Sequence, residues 1–437
     1  MIRDITEFGA VGDGKTKATA AIQKTIDTVA DAGGGTVRVP AGTFLSGSLK
    51  LRSHINLHLE TGARLVSSLD PADVIDFTKD FDDDNADTGW EGGCFLFARH
   101  EEDITISGDG TIDGQGRLAF WDDDADDGFH ECPLAVKGFR PRMSFLEDVK
   151  KLTVRDVTFE DSAYWTLHLA GCQDVLIENI RILNNERGAN NDGIDPDCCK
   201  NVVIRGCIIR TGDDCIVVKT TAPMTRKYGA SENIVISGCT MRSRSCALKI
   251  GTETWGDIHH IILSDSVLSD CTRGFGIWSR DGGNVSDIMI HHVTGNTRRY
   301  ADCSKRDSGV HVWWGKGDPV FISATKRAGV DRLPGTISRI FIDHLYMDGE
   351  GTSMIAGETY SVIEDVHFSD VVLRLKRQSS HVPDVFDEMP SARGVYPHEI
   401  AVLYTRSVKN CTLEGRFEID DSMKEFCRRQ IIRDSSN

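Results

Sequence analysis

One short pattern recurs along most of the chain: a polar residue, an apolar residue, any residue and a second apolar residue. Between Leu152 and Ile288 the steps from one copy to the next are 23, 27, 32, 27 and 27 residues. Short apolar strands at such a period, without helices between them, predict a parallel β-helix, and the Leu-rich pattern of leucine-rich repeats is absent. The copies begin at Asn56, Asp103, Lys151, Asp174, Asn201, Asn233, His260, Asp287, Arg339, Asp365 and Asn410.

The repeat also predicts the domain organisation. A single coil cannot bury its apolar face alone, so we expect residues 1–437 to form one domain. Residues 1–50 would hold an N-terminal cap and the first coil, residues 51–375 the solenoid with long loops, and residues 376–437 the C-terminal coils and tail. Helical apolar spacing within residues 16–32 supplies the cap. The predicted fold class is all-β, a single-domain right-handed parallel β-helix with an N-terminal capping helix. The wide step from Ile288 to Ile340 indicates a skipped coil or long loops.

Charge and cysteine content limit the partners and the compartment. A formal net charge of −17 disfavours nucleic acid and anionic membranes. No apolar run is long enough to span a bilayer, and the first residues lack the apolar core of a signal peptide. Together with thirteen cysteines that fit reduced, buried positions, this predicts a cytoplasmic protein, or a secreted one if a leader has been removed. A smooth β-helix flank would also allow a homo-oligomer.

The chemistry is concentrated between residues 190 and 220. Asp192 and Asp213 are 21 residues apart, which is about one coil of the predicted solenoid. Since neighbouring coils stack about 4.8 Å apart, Asp192 would share a small surface with Asp213 and Asp214. Crowded carboxylates suit glycoside hydrolysis, where one group stays protonated as the acid and another stays ionised. The alternative is that these are solvated turn residues at coil corners.

Five segments give the chain a resemblance to a known family. Three of them relate to the fold, and two, Asn190-Asn191-Asp192-Gly193 and Gly212-Asp213-Asp214, relate to the chemistry. The chain resembles glycoside hydrolase family 28, the polygalacturonases and their relatives, over most of its length. The fold segments run over residues 8–14, 34–44 and 108–116.

The resemblance implies roles for the three carboxylates. Asp213 would be the general acid that protonates the leaving oxygen. Asp192 and Asp214 would hold and activate the attacking water, which inverts the anomeric centre. Inverting enzymes place the acid and the base on the order of 6.5–9.5 Å apart to admit that water. No metal and no cofactor is expected.

Two further family motifs are altered in this sequence. The family's Gly-His-Gly segment aligns with residues 245–251, where Cys246 stands near the place of the histidine. Its Arg-Ile-Lys segment, which grips a galacturonate carboxylate, aligns with residues 275–280 without its two cations in register. Lys249 and Arg280 are candidates for replacement charge. The chain is therefore more similar to divergent branches of the family, rhamnogalacturonan-type or exo-acting.

Several other side chains are predicted to contact a sugar. Asn190 opens the first chemical segment, and His168 lies one coil before Asp192, where it would bond to sugar, tune an Asp or simply pack between coils. Trp278 follows the altered Arg-Ile-Lys segment. Trp313 and Trp314, in the largest insertion, suit sugar faces, although they would also serve as a plug.

Three functions remain open on the sequence. The leading hypothesis is an inverting glycoside hydrolase acting from one end of pectic-type oligosaccharides that contain galacturonate or rhamnogalacturonan. The second is a Ca²⁺-dependent polysaccharide lyase, for which Lys219, Lys249 or Arg280 would be the base. The third is a glycan-binding β-helix without catalysis. A transglycosylase would use the same Asp set with a different acceptor.

Overall fold

The strands are short in the N-terminal half and longer after residue 245. The computed structural model describes residues 1–76, 93–121, 133–300, 317–385, 396 and 398–434. Strands β1 to β12 are Ile2–Asp4, Asp13–Lys17, Gly35–Val39, Gly42–Ser46, Leu49–Lys50, Ile55–Leu59, Ala63–Ser67, Cys94–Arg99, Glu102–Ser107, Thr111–Asp113, Arg142–Glu147 and Lys150–Arg155. Strands β13 to β22 are Thr158–Glu160, Leu167–Ala170, Gln173–Glu178, Arg181–Leu183, Ile194–Asp197, Lys200–Arg205, Ile208–Thr211, Ile216–Thr220, Ser231–Ser237 and Thr240–Ser243. Strands β23 to β33 are Cys246–Thr254, Ile258–Cys271, Arg273–Ser279, Val285–Thr297, Asp318–Ala324, Ile337–Gly349, Ser353–Gly357, Ile363–Leu375, Ala401–Arg406, Val408–Ile419 and Arg429–Asp434.

Helices are few and short in the described ranges. The two α-helices are α1 (Thr19–Asp31) and α2 (Ala222–Tyr228). Single 3₁₀ turns cover Ile5–Phe8, Pro71–Asp73, Gly116–Ala119 and Asp421–Met423. Among these elements, none combines the length and the apolar character that a helix needs to cross a bilayer.

The strands form two parallel sheets that wind along one axis. Sheet B contains twelve strands in the order β5, β8, β11, β14, β17, β20, β23, β25, β27, β29, β31 and β33. The other 21 strands form sheet A, which begins as two parallel ladders. From β24 onward one long strand per coil crosses both ladders, because β24 pairs with β21 and also with β22. The architecture is a parallel β-helix, which confirms the predicted fold class.

The register places the apolar residue of each repeat in one column. Leu152 pairs with Val175, Val175 with Val202 and Val202 with Ile234. Ile288 pairs directly with Ile340, so the wide step between them skips no coil. Stacking identical positions lets each apolar side chain cover the next one along the axis, which is how the coils bury a core together.

The backbone conformation explains why a polar residue opens most of the repeats. From Asp103 to Asn410, these ten residues have φ between 47° and 60°, in the left-handed region. Asn and Asp enter this region at the lowest cost among residues with a side chain, since their short polar groups bond locally. The Asn201 and Asn233 side chains also bond to each other, with Asn233 Nδ2 donating to Asn201 Oδ1 at 3.1 Å. In these ten copies the opening residue therefore supplies the left-handed position at the start of the strand.

Helix α1 covers the N-terminal end of this core, as the spacing predicted. Ile22, Ile26 and Val29 are fully buried and belong to the same apolar cluster as the strands. Its contacts with β1, β3, β5 and β6 place it over the first coil.

The cysteines lie inside the stack. Of the eleven in the described ranges, all are free thiols and only Cys411 is not buried. Cys172 Sγ bonds to Leu146 O at 3.1 Å and Cys199 Sγ to Leu169 O at 3.2 Å, in each case to a carbonyl of the preceding coil.

Candidate active site

Three carboxylates meet on the outer side of sheet B. Asp192 lies just before β17, and Asp213 and Asp214 lie in the turn between β19 and β20. Since β17 and β20 are neighbours in sheet B, the two turns stack on adjacent coils. One oxygen from each carboxylate lies within 4.8 Å of the other two, and all three residues are buried. The 21-residue spacing therefore corresponds to one coil here.

Asn191 fixes the two turns to each other. Its Oδ1 accepts hydrogen bonds from Gly212 N at 2.8 Å and Asp213 N at 3.2 Å, and its Nδ2 donates to Asn185 O at 2.7 Å. Gly212 permits this approach, since a Cβ there would stand 2.2 Å from Gly188 O. These local contacts set the separation of Asp192 from Asp213 before any substrate arrives.

Asp214 is held by three groups from the next coil. Its Oδ1 accepts from Ser245 Oγ at 2.8 Å and Cys246 N at 3.1 Å, and its Oδ2 lies 2.8 Å from Lys249 Nζ. Burial opposes the charge of Lys249, but attraction to Asp214 and Asp213 outweighs it and raises the pKa of Lys249. Lys249 thus stays an ammonium beside Asp214.

The negative charges of Asp192 and Asp213 are less strongly compensated by nearby positive charge than that of Asp214. Burial, followed by repulsion from Asp214, raises the pKa of Asp213 to about 6. Burial and repulsion from Asp213 raise the pKa of Asp192 well above its ordinary value. Within the described part of the chain, Asp192 Oδ1 is buried without a hydrogen-bond partner. Crowded acids of this kind titrate as a unit, so near neutral pH the cluster holds a proton on Asp192 or Asp213.

The spacing of the cluster also bears on metal binding. Among the described residues it is the one grouping of three acidic, His or Cys side chains close enough to surround a cation. The Lys249 ammonium already supplies a positive charge at Asp214.

A small cavity opens beside the carboxylates. Its volume is about 120 Å³. Of the predicted sugar contacts, Asn190, Lys249 and Trp278 face it. Ser245 and Arg273 also face it and were not predicted. The lining residues are Asn190, Asp213, Asp214, Ser245, Lys249, Arg273 and Trp278.

Comparison with known proteins settles the family. The model of glycosyl hydrolases family 28 matches residues 33–300. The chain belongs to glycosyl hydrolases family 28. A second model, rhamnogalacturonase A/epimerase, pectate lyase-like, matches residues 2–62.

Curated relatives agree with this family, and a solved structure agrees with the fold. The chain is 31% identical to a probable polygalacturonase of Vitis vinifera over 70% of this chain and 63% of that protein. It is 26% identical to an exopolygalacturonase of Zea mays over 49% of this chain and 48% of that protein. The chain thus spans about half to two thirds of these relatives. The exopolygalacturonase structure from Thermotoga maritima matches 86% of this chain and 87% of its own, with a TM-score of 0.67 at 23% identity.

Gly276 and Trp278 of this family-28 chain lie in residues 275–280, the segment that aligns with the family's Arg-Ile-Lys motif. The two residues point to the same face of β25, because side chains alternate along a strand. The indole of Trp278 lies back over Gly276, where an added Cβ would stand 2.1 Å from a ring carbon. The indole also stacks on Phe321, with 5.3 Å between the two ring centroids. Trp278, stacked on Phe321, therefore forms an aromatic wall on one side of the cavity.

Replacing Gly276 with alanine is expected to destabilise the protein by about 1–3 kcal/mol, because the methyl group forces the indole of Trp278 out of its place. Urea unfolding would measure this loss. In a Trp278→Ala background the same Gly276→Ala change should cost little, since the clashing ring is gone. An equal cost in both backgrounds would show that the ring does not occupy this position.

Two predicted contacts lie away from the cavity. His168 is fully buried between Phe145 and Trp165, with ring centroids 5.0 and 4.8 Å away, and burial lowers its pKa to about 4. Arg280 is also fully buried, and its guanidinium donates to Ser323 O at 3.1 Å and to Ser279 O at 3.0 Å. The structure thus places both between coils. Trp313 and Trp314 fall outside the described residues.

A second charged pair beside the cluster was not predicted. Asp195, in β17, and Lys219, in β20, are buried, and Lys219 Nζ lies 3.0 Å from Asp195 Oδ1. The sequence did contain a signal for this pair, because each of the two charged residues stands within an apolar strand. The two residues are 24 positions apart, which is again about one coil.

Proposed function

We propose that this family-28 chain is an inverting, exo-acting glycoside hydrolase of pectic oligosaccharides that contain galacturonate or rhamnogalacturonan. The observation that carries the proposal is the triad of buried carboxyls at the edge of a cavity, with one of them, Asp213, titrating near neutrality. An acid with a pKa of about 6 can donate its proton and recover it at neutral pH.

The proposed reaction uses each group once. Asp213 donates its proton to the glycosidic oxygen as the bond from that oxygen to the anomeric carbon breaks. A water held between Asp192 and Asp214 attacks the anomeric carbon from the other face and gives a proton to one of these carboxylates. Lys249 compensates the charge of Asp214, and the three bonds to Asp214 keep that carboxylate aimed at the water.

The stereochemical outcome needs its own measurement. The expected acid–base separation of about 6.5–9.5 Å is longer than the approach of the nearest oxygens, which lie within 4.8 Å. Inversion is supported by two carboxylates that can share one water, and by the fixation of Asp214, which disfavours its movement as a nucleophile.

Exo action is supported by the shape of the site. The cavity of about 120 Å³ is small, and the Trp278 wall closes one side of it, so it suits one terminal sugar better than a passing chain. The Zea mays relative that carries the name exopolygalacturonase is consistent with this proposal.

Product analysis tests the function. The enzyme would be incubated with galacturonan and rhamnogalacturonan oligosaccharides of defined length, with and without chelator, and products separated by anion-exchange chromatography. Proton NMR during the first turnovers would identify the anomer. Release of a saturated monosaccharide from one end, with inverted configuration and no effect of chelator, is the expected result.

Other outcomes would overturn parts of the proposal. An ultraviolet-absorbing unsaturated product that disappears with chelator would establish a lyase. Internal fragments would show endo action, and a retained anomer would make one carboxylate a nucleophile. Binding without turnover across the panel would favour a glycan-binding β-helix.

A further inference from the structure

A column of polar side chains runs along sheet A near the start of four successive strands. Asp174, Asn201, Asn233 and His260 occupy equivalent positions in β15, β18, β21 and β24, since the residues on either side of them pair in register. All four have φ between 56° and 60°. The same backbone conformation in each coil brings their side chains into contact along the axis.

The hydrogen bonds of this polar column have a fixed direction. A carboxylate can only accept, so Asp174 Oδ1 takes its hydrogen bond from Asn201 Nδ2 at 2.9 Å. The Asn201 amide then presents its oxygen to the next coil, where Asn233 Nδ2 donates to it at 3.1 Å. Asn233 consequently turns its own oxygen towards the following coil, and its Oδ1 lies 3.1 Å from His260 Nδ1. The column therefore presents an oxygen acceptor to an imidazole.

A second imidazole contacts the same ring nitrogen. His259 Nδ1 lies 3.2 Å from His260 Nδ1, and the planes of the two rings are nearly perpendicular, at 87°. The other nitrogen of His259, Nε2, lies 3.5 Å from Glu232 Oε2 on the preceding coil, which favours a proton on Nε2 and leaves a lone pair on Nδ1. His259 Nδ1 and Asn233 Oδ1 are thus two acceptors beside one atom, His260 Nδ1. A single proton on that atom bonds well to only one of them.

A metal cation in place of that proton would bind all three atoms. Bonds from zinc to nitrogen are about 2.0–2.1 Å long, so two ligand atoms of one metal stand about 3.0 Å apart at a right angle and about 3.4 Å apart at the tetrahedral angle. The two separations that involve His260 Nδ1, 3.1 and 3.2 Å, lie between these values. Imidazole nitrogens suit Zn²⁺, Ni²⁺ and Cu²⁺, and a carboxylate such as Glu232 on the far nitrogen is the usual partner of a ligand histidine.

We propose that His259, His260 and Asn233 form a binding site for a divalent cation of the zinc, nickel and copper group. The ligand atoms are the two Nδ1 atoms and Oδ1, and water completes the coordination. Because Asn233 belongs to β21 and the two histidines belong to β24, the cation joins two neighbouring coils of sheet A. The site differs from the carboxylate cluster in its donor atoms and in its sheet, and it is independent of the proposed hydrolysis.

Isothermal titration calorimetry of the protein with Ni²⁺ tests the site, because nickel suits imidazole better than the carboxylates of the cluster. Two variants each remove one ligand and keep the left-handed backbone. His260→Asn continues the polar column with the residue type that precedes it, and Asn233→Gly removes the amide where glycine adopts a positive φ without strain. Each variant should weaken Ni²⁺ binding by at least about tenfold, and Glu232→Gln should weaken it by about tenfold.

A second pair of adjacent histidines provides the matched control. The Nδ1 atoms of His291 and His292 lie 2.9 Å apart, and His292 has a φ of 53°. Asp265 precedes His292 on the neighbouring coil, but within the described ranges it does not come close enough to complete a group of three ligands with this pair. The double variant His291→Ala/His292→Asn should therefore bind Ni²⁺ at the proposed site as tightly as the wild type.

The melting temperature gives a second readout. Ni²⁺ at about a hundredfold excess over its Kd should raise the melting temperature of the wild type by about 3 °C and leave that of His260→Asn unchanged, since the three ligands meet only in the folded coils. Equal Ni²⁺ affinity in the wild type, His260→Asn and Asn233→Gly would overturn the inference.

Two other outcomes would also overturn the inference. Binding that is lost in Asp192→Asn and kept in His260→Asn would place the metal at the carboxylate cluster. Binding that falls equally in the control variant would show adventitious attachment to surface histidines. Neither readout uses hydrolysis, so a failure of the proposed function leaves this test intact.

Discussion

Replacing Asp213 with asparagine is expected to reduce kcat on the hydrolysed oligosaccharide by about 10²–10⁴-fold, because the amide cannot donate a proton to the leaving oxygen. KM should change little, since an amide of the same shape preserves the cavity. Initial rates on the oligosaccharide measure the loss. If the site accepts an aryl glycoside, whose leaving group needs little protonation, the activity of Asp213→Asn on that substrate should fall much less.

A buried carboxylate remote from the site provides the control for Asp213. Asp113 is 2% exposed in sheet A and lies 2.7 Å from Arg64 Nη2. Asp113→Asn should lower the melting temperature and leave kcat unchanged. A loss of less than about tenfold in Asp213→Asn, or an equal loss on the aryl glycoside, would assign the acid role to another group.

Replacing Lys249 with methionine is expected to destabilise the protein by about 3–5 kcal/mol, because the change leaves the Asp214 carboxylate buried without its ammonium. Hydrolysis should also fall, since Asp214 loses the contact at 2.8 Å that holds its Oδ2 in place. Urea unfolding at neutral pH measures the first effect and initial rates at the same pH measure the second.

Lys227→Met is the matched control for Lys249. Lys227 Nζ lies 3.0 Å from Glu147 Oε1, and Glu147 is as buried as Asp214 but keeps a second cation, Arg99, at 2.6 Å. This variant should be destabilised less than Lys249→Met and should hydrolyse substrate at the wild-type rate. Equal losses of stability in the two variants would mean that Ser245 Oγ and Cys246 N suffice to hold the Asp214 charge.

The repeat predicted the fold because one physical requirement is applied at every coil. An apolar residue that stacks on its own equivalent, such as Val202 on Val175, must recur at the same place in each coil. The turn before it needs a left-handed residue, which explains the Asn and Asp that begin so many copies. The same logic placed Asp192 next to Asp213, since both lie in turns one coil apart.

What the sequence did not reveal is which outward-facing side chains remain accessible. His168 and Arg280 are both fully buried by neighbouring residues, and packing of this kind has no period to detect in the sequence. The pairing of Asp195 with Lys219 needs the register of β17 and β20, and the contact of Trp278 with Gly276 needs the rotamer of the indole. Both are settled by packing and not by composition.

The buried cysteines connect the chemical durability of the protein to the integrity of its coils. Burial raises the pKa of Cys172's neighbour Cys199 and of Cys215 well above the ordinary value, so the reactive thiolate is scarce. Oxidants and alkylating agents therefore react slowly with these two thiols as long as the coils stay stacked. Because the thiols recur along the axis, a coil that opens exposes its own sulfur and lets it ionise to a nucleophile. The intact fold thus protects the buried thiols from oxidation.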